Sequence, residues 1–345
     1  MGPLGRGLGG GVELTLLAIL KALKGRGHHL GLVAATESEL DANLVDQLWL
    51  ESGAPQPSWQ HQSPEAPIQI PADSLLGNFW QRAFIEQDRF DLLLNLGYDW
   101  LPLWLTPFCR KPLFHLVSMG SVGKAMGQMI SATATSFPNQ VAFHTASQAA
   151  DFQLPNEPFL LANGFDFNLY EFQSNPKPLL GWAGRVAPEK GLEDAAQVAC
   201  QWGWPLAIWG LQEDPQYAAT VEASVPAGTL QWRGFLATAE FQSQLGECAA
   251  FLNTPKWNEA FGNVVVEAMA CGVPVLAYRR GGPAELIDAE ISGLLVEPDC
   301  IDSLVKALPQ ALCLDRLRCR QKAAERFSLE AFGLRLENWL MQPNI

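Results

Sequence analysis

The chain has 345 residues, 48% of them hydrophobic and 17% charged, a globular composition with enough apolar material for two buried cores. Its formal charge of −13 excludes a nucleic-acid binder, which needs clustered lysine and arginine, and argues against a polybasic membrane-surface enzyme. Seven cysteines without a Cys-x-x-Cys pair read as reduced thiols of a cytoplasmic protein, with Cys109, Cys200 and Cys271 filling cores rather than holding metal. The sequence shows neither a long apolar run nor a charged leader ahead of an apolar core, so no transmembrane helix or secretory signal is expected.

In chain order, glycines crowd Gly2 to Gly11, and Leu14, Leu17, Ala18, Leu20 and Leu23 then repeat at helical spacing. "LGLVAA" follows as a strand. Glycine loop, helix and strand make half of a βαβ unit. The strand that should precede the loop is missing, and the expectation is that the start has been set too far downstream. "SGAPQPSWQHQSPEAPIQIP" is rich in proline and serine and is expected to be a long surface loop. Further strands are expected at "DLLLNLGY", "PLFHLVSM" and "QVAFHT", and "QSNPKP" reads as an interdomain linker.

The second half opens with "LLGWAGR", a strand into a glycine turn. It continues with a helix at "GLEDAAQVACQWG", then "PLAIWG", "LQWRGFL" and "CAAFLNTP". In "NEAFGNVVVEAMACGVPVLA", Gly262 and Asn263 enter a short helix over Val264 to Cys271, Gly272 stops it and Pro274 keeps it stopped. "VPVLAY" then reads as a buried strand. Strands alternating with helices predict an α/β protein with parallel sheets in both halves.

Two such domains bind ligands at the carboxyl ends of their strands. Four groups of residues are candidates there. Gly184, Arg185 and Lys190 follow a strand, and the two cations suit a pyrophosphate, one as a planar fork and one as a point charge; alone they could equally be solvated. Glu259 precedes a helix whose start offers amides to an anion, and Glu267 lies one turn inside it, so both could accept hydroxyls of a sugar or ribose. The third group is the glycine loop. The fourth is His115, either a satisfied core histidine or a hydrogen-bond donor to substrate. No Asp-x-Asp motif is present to hold a metal on a diphosphate, so Arg185, Lys190 and helix N-termini would carry that charge.

"GWAGRVAPEKGLEDA", "EAFGNVVVEAMACGVPVLAYRRGGPAELI" and "SGLLVEPD" together resemble the retaining GT-B glycosyltransferases of family 4, over nearly the whole C-terminal half. The resemblance implies two Rossmann-like domains with parallel sheets facing across a cleft. The domains would be an acceptor-binding one over residues 1–170 and a nucleotide-sugar domain over 178–326, with a last helix over 327–345 returning to the first. It implies that Glu259 and Glu267 bind donor sugar and ribose, and that Arg185 and Lys190 hold the diphosphate. Phe261, Gly262, Asn263 and Val264 would contact the donor, as would Gly10 and Gly11 in the glycine loop, with His115 as the cleft histidine. The mechanism would be retaining, without a protein nucleophile.

"GPLGRGLGGGVELTL", "YDWLPLWLTPF" and "HLVSMGSVGKAMGQMI" are similar to cyanobacterial UDP-glucose:tetrahydrobiopterin glucosyltransferases. That implies UDP-glucose as donor and tetrahydrobiopterin as acceptor, with Trp100, Trp104, Phe108 and Met119 as a flat wall for the pterin unless they are simply core. The alternatives are a family 4 hexosyltransferase with another acceptor (glycerol, a sugar phosphate or a glycan) and a silent nucleotide-sugar-binding protein. No cofactor is expected, with stimulation by a divalent cation left open. The expected partners are the donor and a small acceptor, without nucleic acid or stable membrane insertion.

Overall fold

The structure, a computed structural model, describes residues 3–5, 10–57, 59 and 62–342. The chain forms two compact units, Met1–Gly164 with Leu329–Ile345, and Phe165–Ser328.

Unit 1 begins with α1 (Gly10–Gly25), β1 (Gly31–Ala35), β2 (Gln47–Glu51), α2 (Leu75–Glu86) and β3 (Leu93–Asn95). It continues through α3 (Trp100–Leu105), β4 (Leu113–Leu116), α4 (Lys124–Ser136), β5 (Val141–Phe143), α5 (Ala146–Ala149) and β6 (Phe159–Leu160). Leucine-rich α1 buries Leu16, Ile19, Leu20 and Leu23, and Glu13 in its first turn and Lys24 in its last suit the helix dipole. Ser74 caps α2 by accepting from the Gly77 amide at 3.2 Å. All pairings are parallel, but they form two sheets: β1 with β2, and β3-β4-β5-β6.

Unit 2 runs β7 (Leu180–Ala183), α6 (Leu192–Trp202), β8 (Leu206–Trp209), α7 (Pro215–Ala223), β9 (Leu230–Gly234), α8 (Thr238–Gly246) and β10 (Ala250–Asn253). It then passes through α9 (Asn263–Ala270), β11 (Val275–Tyr278), α10 (Pro283–Leu286), β12 (Gly293–Val296), α11 (Ile301–Leu312) and α12 (Arg316–Phe327). Its six parallel strands lie in the order β12-β11-β10-β7-β8-β9. Residues of β7, β8, β10 and β11 are buried throughout, as helix-covered parallel strands require. The final helix, α13 (Leu329–Leu340), belongs to unit 1, where Phe332, Leu336 and Trp339 join the core built on α1.

The proline-rich stretch over residues 52–71 is the expected surface loop over most of its described residues, with Trp59 as its buried exception. Trp59 is buried with Met126 and Ile130, because a tryptophan gains more from that apolar cluster than from water. Of the expected glycine loop, Gly2, Gly7 and Gly9 lie outside the described residues. Among the described residues, no helix is long and apolar enough to cross a membrane.

Candidate functional site

The sheet of unit 2 places its carboxyl-end loops by topology. From β7 the chain proceeds outward through β8 and β9, whereas β10, β11 and β12 build the other side, so β7 and β10 flank the point where strand order reverses. A parallel α/β sheet has its binding crevice at such a point. Gly184, Arg185 and Lys190 follow β7, while Asn253 ends β10 and leads to Glu259 and α9.

The first loop is held by close approaches of backbone. Gly191, at φ +66° between Lys190 and α6, has the Thr254 carbonyl so near that an added Cβ would stand 1.9 Å from its oxygen. The Thr254 hydroxyl donates back to the Gly191 carbonyl at 2.7 Å, fastening the β7 loop to the β10 loop. Lys190 Nζ then meets Glu259 Oε2 at 2.5 Å and lies 4.8 Å from the centre of the Trp257 ring. The Trp257 indole donates to the same carboxylate oxygen at 3.2 Å. Arg185 pairs with Glu189 at 2.8 Å and with Glu213. Both cations of the candidate site thus already face carboxylates.

The Glu259 loop is clasped from the other side. The Gly282 amide donates to the Glu259 carbonyl at 2.7 Å, and an added Cβ on Gly281 would stand 2.6 Å from the Glu259 nitrogen. Gly262, at φ +99°, turns the chain into α9 and brings no side chain of its own to cap it. Phe261, Gly262, Asn263 and Val264 form that turn. One turn further in, Glu267 is buried and accepts from the Tyr170 hydroxyl at 3.2 Å. Burial pushes the Glu267 carboxyl up to about 7, against the Tyr170 hydrogen bond, which lowers it. Arg320 positions Tyr170 by donating to its carbonyl at 2.6 Å.

Unit 1 holds the remaining candidates. Gly10 and Gly11 open α1, and the Gly11 carbonyl accepts from the Thr15 hydroxyl at 2.9 Å. Trp100 and Trp104 stack at 5.8 Å, and Trp104 leans on Phe108 at 5.0 Å. Trp104 and Phe108 are exposed, whereas Trp100 and Met119 pack against the core that holds Met126. By sequence, His115 is either a satisfied core histidine or a donor to substrate. It lies inside β4 with Nδ1 3.2 Å from Asn95 Nδ2 and Nε2 2.8 Å from Thr106 Oγ1. Burial pushes it down to about 3, which favours the neutral ring, and both ring nitrogens have partners within unit 1.

Several residues of the site escaped the sequence reading. Gly191, Gly281 and Gly282 fix its loops, and Glu189 and Glu213 neutralise Arg185. Asn253 Oδ1 is buried without a hydrogen-bond partner among the described residues. Such an orphan costs about 1–3 kcal/mol and calls for a functional account. The available signal was a polar residue closing an otherwise apolar strand.

Residues 170–326 match the family model for glycosyl transferases group 1. That segment is just under half of the chain and coincides with most of unit 2. Within it fall all the candidate residues of unit 2. The chain is 33% identical over 144 residues to 2-deoxystreptamine N-acetyl-D-glucosaminyltransferase of Streptomyces fradiae, covering 39% of this chain and 34% of that protein. It is 34% identical over 142 residues to the GDP-mannose-dependent alpha-mannosyltransferase of Mycolicibacterium smegmatis, covering 41% of this chain and 36% of that protein. The aligned part thus spans about a third of these curated relatives. Among solved structures, Anabaena HepE in complex with UDP and glucose superposes with a TM-score of 0.76 at 19% identity, over 97% of this chain and 96% of that one. Units 1 and 2 are two Rossmann-like domains with parallel sheets, the GT-B fold.

Proposed function

We propose that this protein is a retaining glycosyltransferase that moves a hexose, glucose from UDP-glucose, to a small acceptor, tetrahydrobiopterin. The observation that carries the transferase reading is that Arg185, Lys190, Glu259 and the start of α9 lie on the loops where the strand order of unit 2 reverses. Cations and helix amides suit a diphosphate, and carboxylates suit the hydroxyls of a sugar and a ribose. Further support comes from the group 1 match and from the UDP and glucose bound by HepE.

In this reading the bond between the anomeric carbon and the diphosphate oxygen breaks, and its electron pair leaves on the phosphate. An acceptor hydroxyl forms the new bond on the same face and its proton passes to that phosphate oxygen. The configuration is retained and no protein nucleophile is needed. Lys190 and Arg185 stabilise the charge growing on the leaving group, while Glu259 orients the sugar. Lys190 must give up part of its contact with Glu259 as the donor arrives, so the donor replaces an existing pair rather than meeting a bare cation. The absence of an Asp-x-Asp motif favours catalysis without a metal, by preorganised charge.

The exposed Trp104 and Phe108 rings suit a flat acceptor. They suit the apolar face of a sugar as well, so a carbohydrate acceptor is the second reading. The test is UDP release from UDP-glucose by purified protein, with and without tetrahydrobiopterin, followed by product mass. The expected result is pterin-dependent release with a hexosylated pterin. Release unaffected by pterin removes the acceptor and retains the transferase, whereas tight UDP-glucose binding without any release overturns the enzyme reading.

A further inference from the structure

Beside the candidate site of unit 2, and outside the residues assigned to it, lies a cluster of charged groups centred on Lys256. Lys256 Nζ pairs with Asp194 in the first turn of α6. It also stands 3.1 Å from Asp299, in the turn before α11, and 4.0 Å from Glu193. Asp194 is buried and also accepts from the hydroxyl of Tyr278, the last residue of β11. Arg280 holds Asp299 from the other side. Asp299 stands at φ +61°, a conformation few non-glycine residues adopt. The buried carboxylate of Asp194 depends on its partner, and taking the partner alone costs far more than taking both.

The backbone around Lys256 is held as firmly as its side chain. The Pro255 carbonyl accepts from Arg280 Nη1 at 2.8 Å, and the Lys256 amide donates to the Glu189 carbonyl at 2.9 Å. Glu189 immediately precedes Lys190, so Lys256 ties the loop after β10 to the loop after β7. The next residue, Trp257, donates to Glu259 at 3.2 Å and presents its ring 4.8 Å from Lys190 Nζ. Lys256 thus fixes the course of residues 255–259 as they leave β10. The facing of Glu259 and Lys190 follows from that course.

We propose that Lys256 is a positioning residue, whose pairing with Asp194 and Asp299 sets the loop over residues 255–259 so that Glu259 and Lys190 meet the donor in register. The inference rests on the transferase reading above and adds a residue that acts through the loop rather than on the donor. A group that orients substrate loses about a hundredfold in rate when displaced by about 1 Å. A loosened loop therefore lowers kcat more than it weakens donor binding.

The test compares the full chain with two variants, Lys256→Met and Lys256→Met combined with Asp194→Asn. The double variant removes the buried carboxylate together with its partner, so it carries the test if the single one fails to fold. Hydrogen exchange is read without donor at the amides of position 256 and Gly282, which bond the Glu189 and Glu259 carbonyls. Steady-state UDP release from UDP-glucose is read alongside it. In the double variant both amides are expected to exchange about tenfold faster. Its kcat is expected to fall about 10- to 100-fold, with KM within about threefold of the parent. Unchanged exchange overturns the proposal, as does faster exchange with a parent-like kcat. A raised KM with unchanged kcat also overturns it, by assigning Lys256 to donor binding itself. If the parent chain releases no UDP, the transferase reading fails instead, and exchange alone decides whether Lys256 sets the loop.

Discussion

In unit 2 six strands run side by side without interruption, and four of them are buried at every position. In unit 1 the parallel order breaks between β1 and β3, and the outer strand β2 leaves Leu48 and Leu50 exposed. The two units share an architecture and differ, among the described residues, in the continuity of their sheets. A parallel strand is stabilised by neighbours on both edges and helices on both faces, so the site-bearing loops of unit 2 spring from a frame that leaves them little freedom. The corresponding edge of unit 1 borders a cavity of about 500 Å³.

The largest test of this contrast is Glu259→Ala. It is expected to lower donor turnover about 100- to 1,000-fold, the loss typical of one preorganised polar group, with hydrogen exchange in unit 1 unchanged. Donor turnover within a few-fold of the parent would remove Glu259 from the site.

Acid should then separate the units in opposite directions. All five histidines precede residue 165, and burial pushes His115 down to about 3 and His144 to about 4. The unfolded chain binds those protons first, so unit 1 loses stability as pH falls below about 6.5, by on the order of 2 kcal/mol for each histidine at pH 5. Glu267 works the other way. Its folded form holds a proton up to about 7, so its contribution to unit 2 grows as pH falls from there towards the ordinary carboxylate range. Exchange followed in each unit between pH 7 and pH 5 should show unit 1 opening first; simultaneous opening would break the comparison.

Smaller effects sharpen it. If ionised Glu267 accepts ribose hydroxyls, kcat/KM for the donor should rise several-fold as pH passes about 7, and Glu267→Gln should flatten that profile. Smallest of all, Tyr170→Phe should shift the same inflection upward by less than about one pH unit, because the phenol's hydrogen bond favours the charged carboxylate.

Much of unit 2 was legible in the sequence. Its short apolar strands are bounded by glycine and proline, and the cations and glutamates of its loops stand in one recognisable order. What was not legible is pairing across elements. That Gly191 lies under the Thr254 carbonyl, or that Glu213 reaches Arg185 from the loop after β8, follows from tertiary contact. His115 shows the same limit. Its strand was visible, but Asn95 and Thr106, which satisfy its ring, come from other elements. The burial of Trp59 was not legible, because the prolines and serines around it speak for a loop and say nothing of where its one large ring is stored.

The prior engagement of Arg185 with Glu189 and Glu213, and of Lys190 with Glu259, has a consequence for traffic through the site. A bare pair of cations would collect inorganic phosphate and free nucleotides, which compete with any donor. Cations that already hold carboxylates release them only to a ligand that makes several contacts at once, diphosphate and sugar together. Under the proposed function, the resting carboxylates would act as placeholders that favour a whole nucleotide sugar over its fragments.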